Sequence, residues 1–140
     1  MEPPYFSLAY AAAIYKTKDL SFALTHIPND TVLFFNQPYA FITAHNPYSQ
    51  PLTSAENETR HKHLENLLES KGFIFVPSTG QSPDETWQEK GFLIFDIALE
   101  VALEIGNYFE QYAIVYGQGN QVALAWCKDA RLEWFYPRLI

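Results

Sequence analysis

A chain of 140 residues fits one domain, long enough to bury roughly two thirds of the surface its unfolded form exposes. Hydrophobic residues make up 48%, an ordinary globular share, and no apolar run reaches the length needed to cross a bilayer. The formal net charge is −7, with 9 Lys and Arg scattered along the chain and no basic stripe, so phosphate backbones would be repelled and nucleic acid is excluded as the expected partner.

Aromatics reach 16%, which favours a sheet-rich core, because flat rings pack well on pleated surfaces. The start "MEPPYFSLAY" has no basic region followed by an apolar run, so no secretory signal is expected. Cys127 is the only cysteine. It cannot form a disulfide within the chain, and a cytoplasmic location follows as the default.

In chain order, "LAYAAAIYK", the turn "TKD" and "LSFALTH" read as two strands, although the alanine run is equally compatible with a helix. "TVLFF" is a short apolar run before Asn36-Gln37-Pro38. "YAFITA" is a strand, and Asn46-Pro47 and Pro51 mark the loop after it. The clearest element spans 54–71. Thr53 and Glu56 have capping-box spacing, Leu64, Leu67 and Leu68 form an apolar stripe, and Gly72 is placed to stop the helix. "FIFVP" is a strand, "STGQSPDET" a polar loop, and "GFLIFDI" a central strand covered on both faces. Asp96 is placed to cap a second helix over 97–108. "YAIVY", "GQGN" and "QVALAWC" form a hairpin, and the tail "KDARLEWFYPRLI" is too apolar to hang free. The expected architecture is a single α+β domain over 1–140: one mixed or mainly antiparallel sheet with two helices packed mostly on one face.

On a 3.6-residue period the Leu64–Leu68 stripe runs back through Arg60 and His61 to Asn57, so the inward face turns polar in the first two turns. Thr43 and Asn46 sit at the end of the preceding strand. Polar groups at a core boundary must find partners or cost a few kcal/mol each. One role for the cluster is to tie the Asn46–Thr53 loop to the helix, and another is to form a site. Arg60 needs an acceptor: Glu56, four residues earlier, offers a local surface pair, and Glu89 is the better partner for a partly buried arginine, with Thr43, Asn46, Asn57 and Gln111 completing the network.

"FITAHNPYSQPLTSAENETRHKHL", "VPSTGQSPDETWQEKGFLIF" and "ALEIGNYFEQYAIV" together resemble a bacterial family known as domain of unknown function 3293, over about residues 40–116. Its Thr-Ala-x-Asn-Pro motif falls on Thr43, Ala44, Asn46 and Pro47, and its Asn-x-x-Arg on Asn57 and Arg60. The loop glycine falls on Gly80 and the Trp-Pro-Glu-Glu-Ser motif on Trp87 and Glu89. A final Gly with Phe-x-Gln-x-Ala falls on Gly106, Phe109, Gln111 and Ala113. The chain departs from the pattern at Gln88, Lys90 and Gly91, and Lys90 replaces the second acid. The resemblance implies a fold and a site position but no activity.

Other chemistry finds little support. His61 and His63 point about 200° apart on a helix and cannot share a metal. His45, His61 and Glu56 form a weak metal constellation, and no metal or cofactor is expected. Cys127 ends an apolar strand and reads as a buried, inert thiol. "GQGN" lacks the following helix of a phosphate loop. Pairing Glu89 with Asp84 or Glu85 would give two acids, but loop acids are normally solvated. Two classes of function remain. The first is a non-catalytic module binding a small polar molecule or a protein partner near Thr43–Arg60. The second is a hydrolase or transferase on a nucleotide-like substrate, with Glu89 as base and Arg60 as anion clamp.

Overall fold

The structure is a computed structural model and describes residues 4–34 and 37–140. Thr53 starts helix α2 (Ser54–Ser70; α1 is given below) with both halves of a capping box. Its hydroxyl accepts from the Glu56 N–H, and the Glu56 carboxylate accepts from the Thr53 N–H. Gly72, at φ 78°, ends it, and the Phe73 N–H reaches back to the Leu68 carbonyl. Leu64 and Leu68 are fully buried beneath it.

The strands do not form an open sheet. They are β1 (Ile14–Lys16), β2 (Ser21–Thr25), β3 (Tyr39–Ile42), β4 (Phe75–Gln81), β5 (Gln88–Phe95), β6 (Ala113–Gln118), β7 (Gln121–Trp126) and β8 (Leu132–Leu139). They close into a barrel in the order β1-β2-β8-β7-β6-β3-β5-β4, with every pair antiparallel. This overturns the expected single sheet with two helices on one face. The closure comes from a stretch read as loop: Ser78–Gln81 continues β4, and Thr79, Gly80 and Gln81 pair with β1. Period-2 alternation hides such a strand when its inward positions are small or polar.

The first segment takes its helical alternative, as α1 (Pro4–Ala12), before β1. Thr31–Phe34 of "TVLFF" carry no strand, and Phe35 and Asn36 lie outside the described residues. The "GFLIF" run falls in β5, flanked by β3 and β4, with Phe92, Leu93 and Ile94 buried. Asp96 does not cap α3 (Leu99–Tyr108). Ala98 is the N-cap residue, without a side-chain cap, and the Asp96 N–H donates to the Pro38 carbonyl at the preceding corner. β6 and β7 form the expected hairpin, and the apolar tail becomes β8, pairing with β7 and β2.

Alternation divides the apolar residues into two cores. Tyr15, Phe22, Tyr39, Phe41, Leu93, Val115 and Leu124 fill the barrel. Ala40, Ile42, Phe92, Ile94 and Ile114 face outward and are covered by α2 and α3. Gly106 lets α3 sit down on this outer surface, because a Cβ there would lie 2.6 Å from Cys127 Sγ. No helix among the described residues is long and apolar enough to cross a membrane.

Candidate functional site

At one end the barrel filling changes from aromatic to polar. Tyr39 and Phe41 point inward from β3, so the next inward position is Thr43. Leu93 points inward from β5, followed by Gly91 and Glu89. Across the β4–β5 ladder, Ser78 faces Gly91 and Gly80 faces Glu89. Position 91 tolerates no side chain, since a Cβ would collide with the Ile42 carbonyl oxygen. The close approach lets Thr43 Oγ1 donate to the Lys90 carbonyl at 2.6 Å.

These strand ends leave a cavity of about 70 Å³ whose lining includes Tyr10, Tyr15, Asn46, Trp87, Glu89 and Gln111. Helix α1 closes one side. Tyr10 OH pairs with Ser49 Oγ at 2.7 Å, and Tyr15 OH donates to the Tyr10 carbonyl at 2.8 Å. The volume holds a handful of waters or one compact molecule.

Asn46 organises the polar wall. Its φ of 48° turns the chain into the short 3₁₀ turn Pro47–Ser49. Its Oδ1 accepts from the Leu52 N–H and from Asn57 Nδ2, and its own N–H donates to Asn57 Oδ1 at 2.9 Å. That fixes the amide, so Nδ2 points at Glu89 Oε2, 2.8 Å away. Glu89 Oε1 has no partner among the described residues and is not sealed from solvent. Burial pushes the Glu89 carboxyl up to about 7, with the Asn46 hydrogen bond pulling only partly the other way. Gln111 Nε2 is committed to the His45 and Phe109 carbonyls, and its Oε1 has no partner among the described residues.

Of the residues expected from the sequence, Thr43, Asn46, Glu89 and Gln111 line the cavity. Asn57 stands behind Asn46 as its support. Arg60 is elsewhere and does not meet Glu89. Its Nε donates to the Ala44 carbonyl, Nη2 to the Phe109 carbonyl, and Nη1 pairs with Glu110 at 3.3 Å. It pins the end of β3 to the end of α3. Lys90 follows Glu89 along β5 and so points to the opposite face. An acid at that position would not share the cavity with Glu89. Asp84 accepts from Ser82 and Thr86 in an exposed turn, and the same hydrogen bonds hold its carboxyl below the usual range.

Sequence reasoning missed Tyr10, Tyr15, Ser49 and Ser78 as lining residues. The signal for Ser78 was the small polar run directly before Gly80, opposite Glu89 in the ladder. Tyr10 and Ser49 carried none, because they meet across 39 residues of sequence.

Beside the cavity wall, His45 and His61 rings lie 5.8 Å apart, and His61 stacks on Phe92 at 4.5 Å. His45 Nε2 and His61 Nδ1 are buried without partners among the described residues. Burial pushes both imidazoles down, His45 to about 4. Glu56, the third member of the suspected metal constellation, is occupied in the capping box. Among the described residues no group of three or more His, Cys, Asp or Glu is arranged to hold a metal ion.

A family model described as "Protein of unknown function (DUF3293)" matches residues 42–114, more than half of the chain. The chain belongs to the DUF3293 family. No curated protein and no solved structure matches it. The DUF3293 segment carries α2, β4, β5 and α3, and with them Thr43, Asn46, Asn57, Arg60, Glu89 and Gln111. Tyr10 and Tyr15, which close the cavity, precede it.

Proposed function

We propose that this DUF3293 protein is a non-catalytic module that binds a small polar molecule in the mouth of its barrel. The observation that carries the reading is a pair of acceptors, Glu89 Oε1 and Gln111 Oε1, without partners among the described residues, on an aromatic-walled cavity. A concave, half-open cavity of this size bordered by Tyr10 favours a small molecule over a protein partner. In this reading the setting is the cytoplasm, where a lone thiol stays reduced.

A second reading has Glu89 as a general acid or base, favoured by a carboxyl that titrates near 7. It lacks the anion clamp assigned to Arg60, whose guanidinium is spent on two carbonyls and Glu110. The described lining residues also include no second acid, and Lys90, where the family pattern has one, lies on the other face of β5.

Nuclear magnetic resonance titration of the labelled protein with a panel of compact neutral, cationic and anionic molecules tests the binding reading. Saturable shifts at the side-chain N–H groups of Asn46, Gln111 and Trp87 are expected. A panel that leaves all three unmoved would sink it.

A further inference from the structure

Seven residues decide what the cavity can hold. Tyr10, Tyr15, Phe41 and Trp87 supply aromatic surface, Glu89 supplies the ionisable carboxyl, and Asn46 and Gln111 supply amides. No Lys, Arg or His is among the lining residues described, so nothing there neutralises an anion. The amide donors are already used. Asn46 Nδ2 goes to Glu89, and Gln111 Nε2 goes to two backbone carbonyls. Thr43 Oγ1 and Tyr15 OH donate to backbone carbonyls as well. The open capacity of the carboxyl and amide groups is therefore acceptor capacity, at Glu89 Oε1 and Gln111 Oε1. Ser78 Oγ, Thr79 Oγ1 and Trp87 Nε1 also line the cavity without a hydrogen bond to the described residues, but they are neutral; Glu89 is the one charged group among the lining residues described, and a ligand of opposite charge complements it.

We infer that the ligand is a small organic cation, an ammonium or guanidinium group on a short carbon skeleton, paired with Glu89 and faced by the aromatic walls; this rests on the ligand-binding reading above. Aromatic faces attract cations, most strongly where water is excluded. A largely buried carboxylate is stabilised by a counter-charge, and among the described residues Glu89 is offered a neutral amide instead. A cavity of about 70 Å³ restricts the skeleton to a few carbon atoms.

Charge coupling follows. Burial holds the empty-site Glu89 near 7, and a bound cation favours its ionised form, so binding near neutral pH releases a proton. Affinity for the cation falls about tenfold between pH 8 and pH 6, because protonated Glu89 must first lose its proton.

The test titrates the full chain with methylguanidinium and propylammonium beside propionamide and propionate, at pH 6 and pH 8. The readout is the resonances of Asn46, Gln111 and Trp87. Saturable binding of the two cations, about tenfold tighter at pH 8, is the expected result. Glu89→Gln, close to isosteric, should lose at least tenfold in cation affinity and lose the pH dependence. Propionamide binding as tightly as the cations, or cation binding that survives Glu89→Gln, overturns the cation while leaving a ligand-binding cavity. Propionate binding preferentially overturns it in the same way. Silence from all four probes overturns both readings.

Discussion

Asn46 Nδ2 donates to Glu89 Oε2 across 2.8 Å, the one side-chain hydrogen bond that Glu89 makes to the described residues. Asn46 can do so because Asn57 holds its other amide atom and its backbone N–H. Asn57 is therefore the support of the site rather than part of its surface. Asn57→Ala removes two partly buried hydrogen bonds and should cost about 2–3 kcal/mol in urea unfolding. It should also raise the Glu89 titration further, read by carboxyl carbon chemical shift. An unchanged Glu89 titration would mean that Asn46 keeps its orientation without Asn57.

Glu89 makes the fold sensitive to base. Its folded value of about 7 lies above the ordinary value of 4.5, so the folded state binds more protons between the two. Stability should fall as pH rises from about 4.5 to 7 and stay low above that, by about 2–3 kcal/mol. Glu89→Gln should flatten this slope and stabilise the protein at pH 8. Urea midpoints at pH 5 and pH 8 give the comparison, and parallel pH profiles for the two proteins would contradict it.

His45 acts in the opposite direction. Its folded value of about 4, set by burial and then by His61 and Lys90 against the weaker pull of Glu58, lies below the ordinary 6.5. The folded state therefore resists protonation. Stability is full above about 6.5 and is lost as pH falls toward 4, by about 1–2 kcal/mol for a half-buried ring. His45→Gln should reduce this loss, measured by thermal unfolding at pH 7 and pH 4.5. Equal acid sensitivity in both proteins would place the lability elsewhere.

Arg60 is a clamp on two carbonyl groups. Arg60→Ala leaves the Ala44 and Phe109 carbonyls without this donor and should cost about 2–3 kcal/mol. Glu110→Gln should cost less than about 1 kcal/mol, since the Glu110 carboxylate is half exposed. Arg60→Ala and Glu89→Gln should add independently. A coupling above about 1 kcal/mol in a double-mutant cycle would show that the two residues meet after all.

Cys127 is 4% exposed, and burial pushes its thiol up to about 12. A thiol reagent should label it only at the rate of unfolding. Gly106→Ala drives a methyl group toward Cys127 Sγ and Ile114 and should cost about 1–3 kcal/mol. Rapid, complete labelling of the folded protein would contradict the burial.

The sequence alone determined the elements whose signals are local. The Thr53–Glu56 capping box, the Leu64–Leu68 stripe and Gly72 define α2 within its own residues, and the apolar runs on either side of "GQGN" define the β6–β7 hairpin. The polar turn of the α2 stripe, together with the strand-end polar residues, also led to Thr43, Asn46 and Asn57. What the tertiary structure alone decided is how distant strands meet. Barrel closure depends on β1 finding Thr79–Gln81, more than 60 residues away, and nothing in either short strand encodes that register locally. The same closure chose the partners of the charges. It turned Glu89 inward toward Asn46 and left Arg60 outside against the Ala44 and Phe109 carbonyls. Helical period shows which face of α2 is buried, but the partner of a buried group is set by whichever chain segment the fold brings across from it.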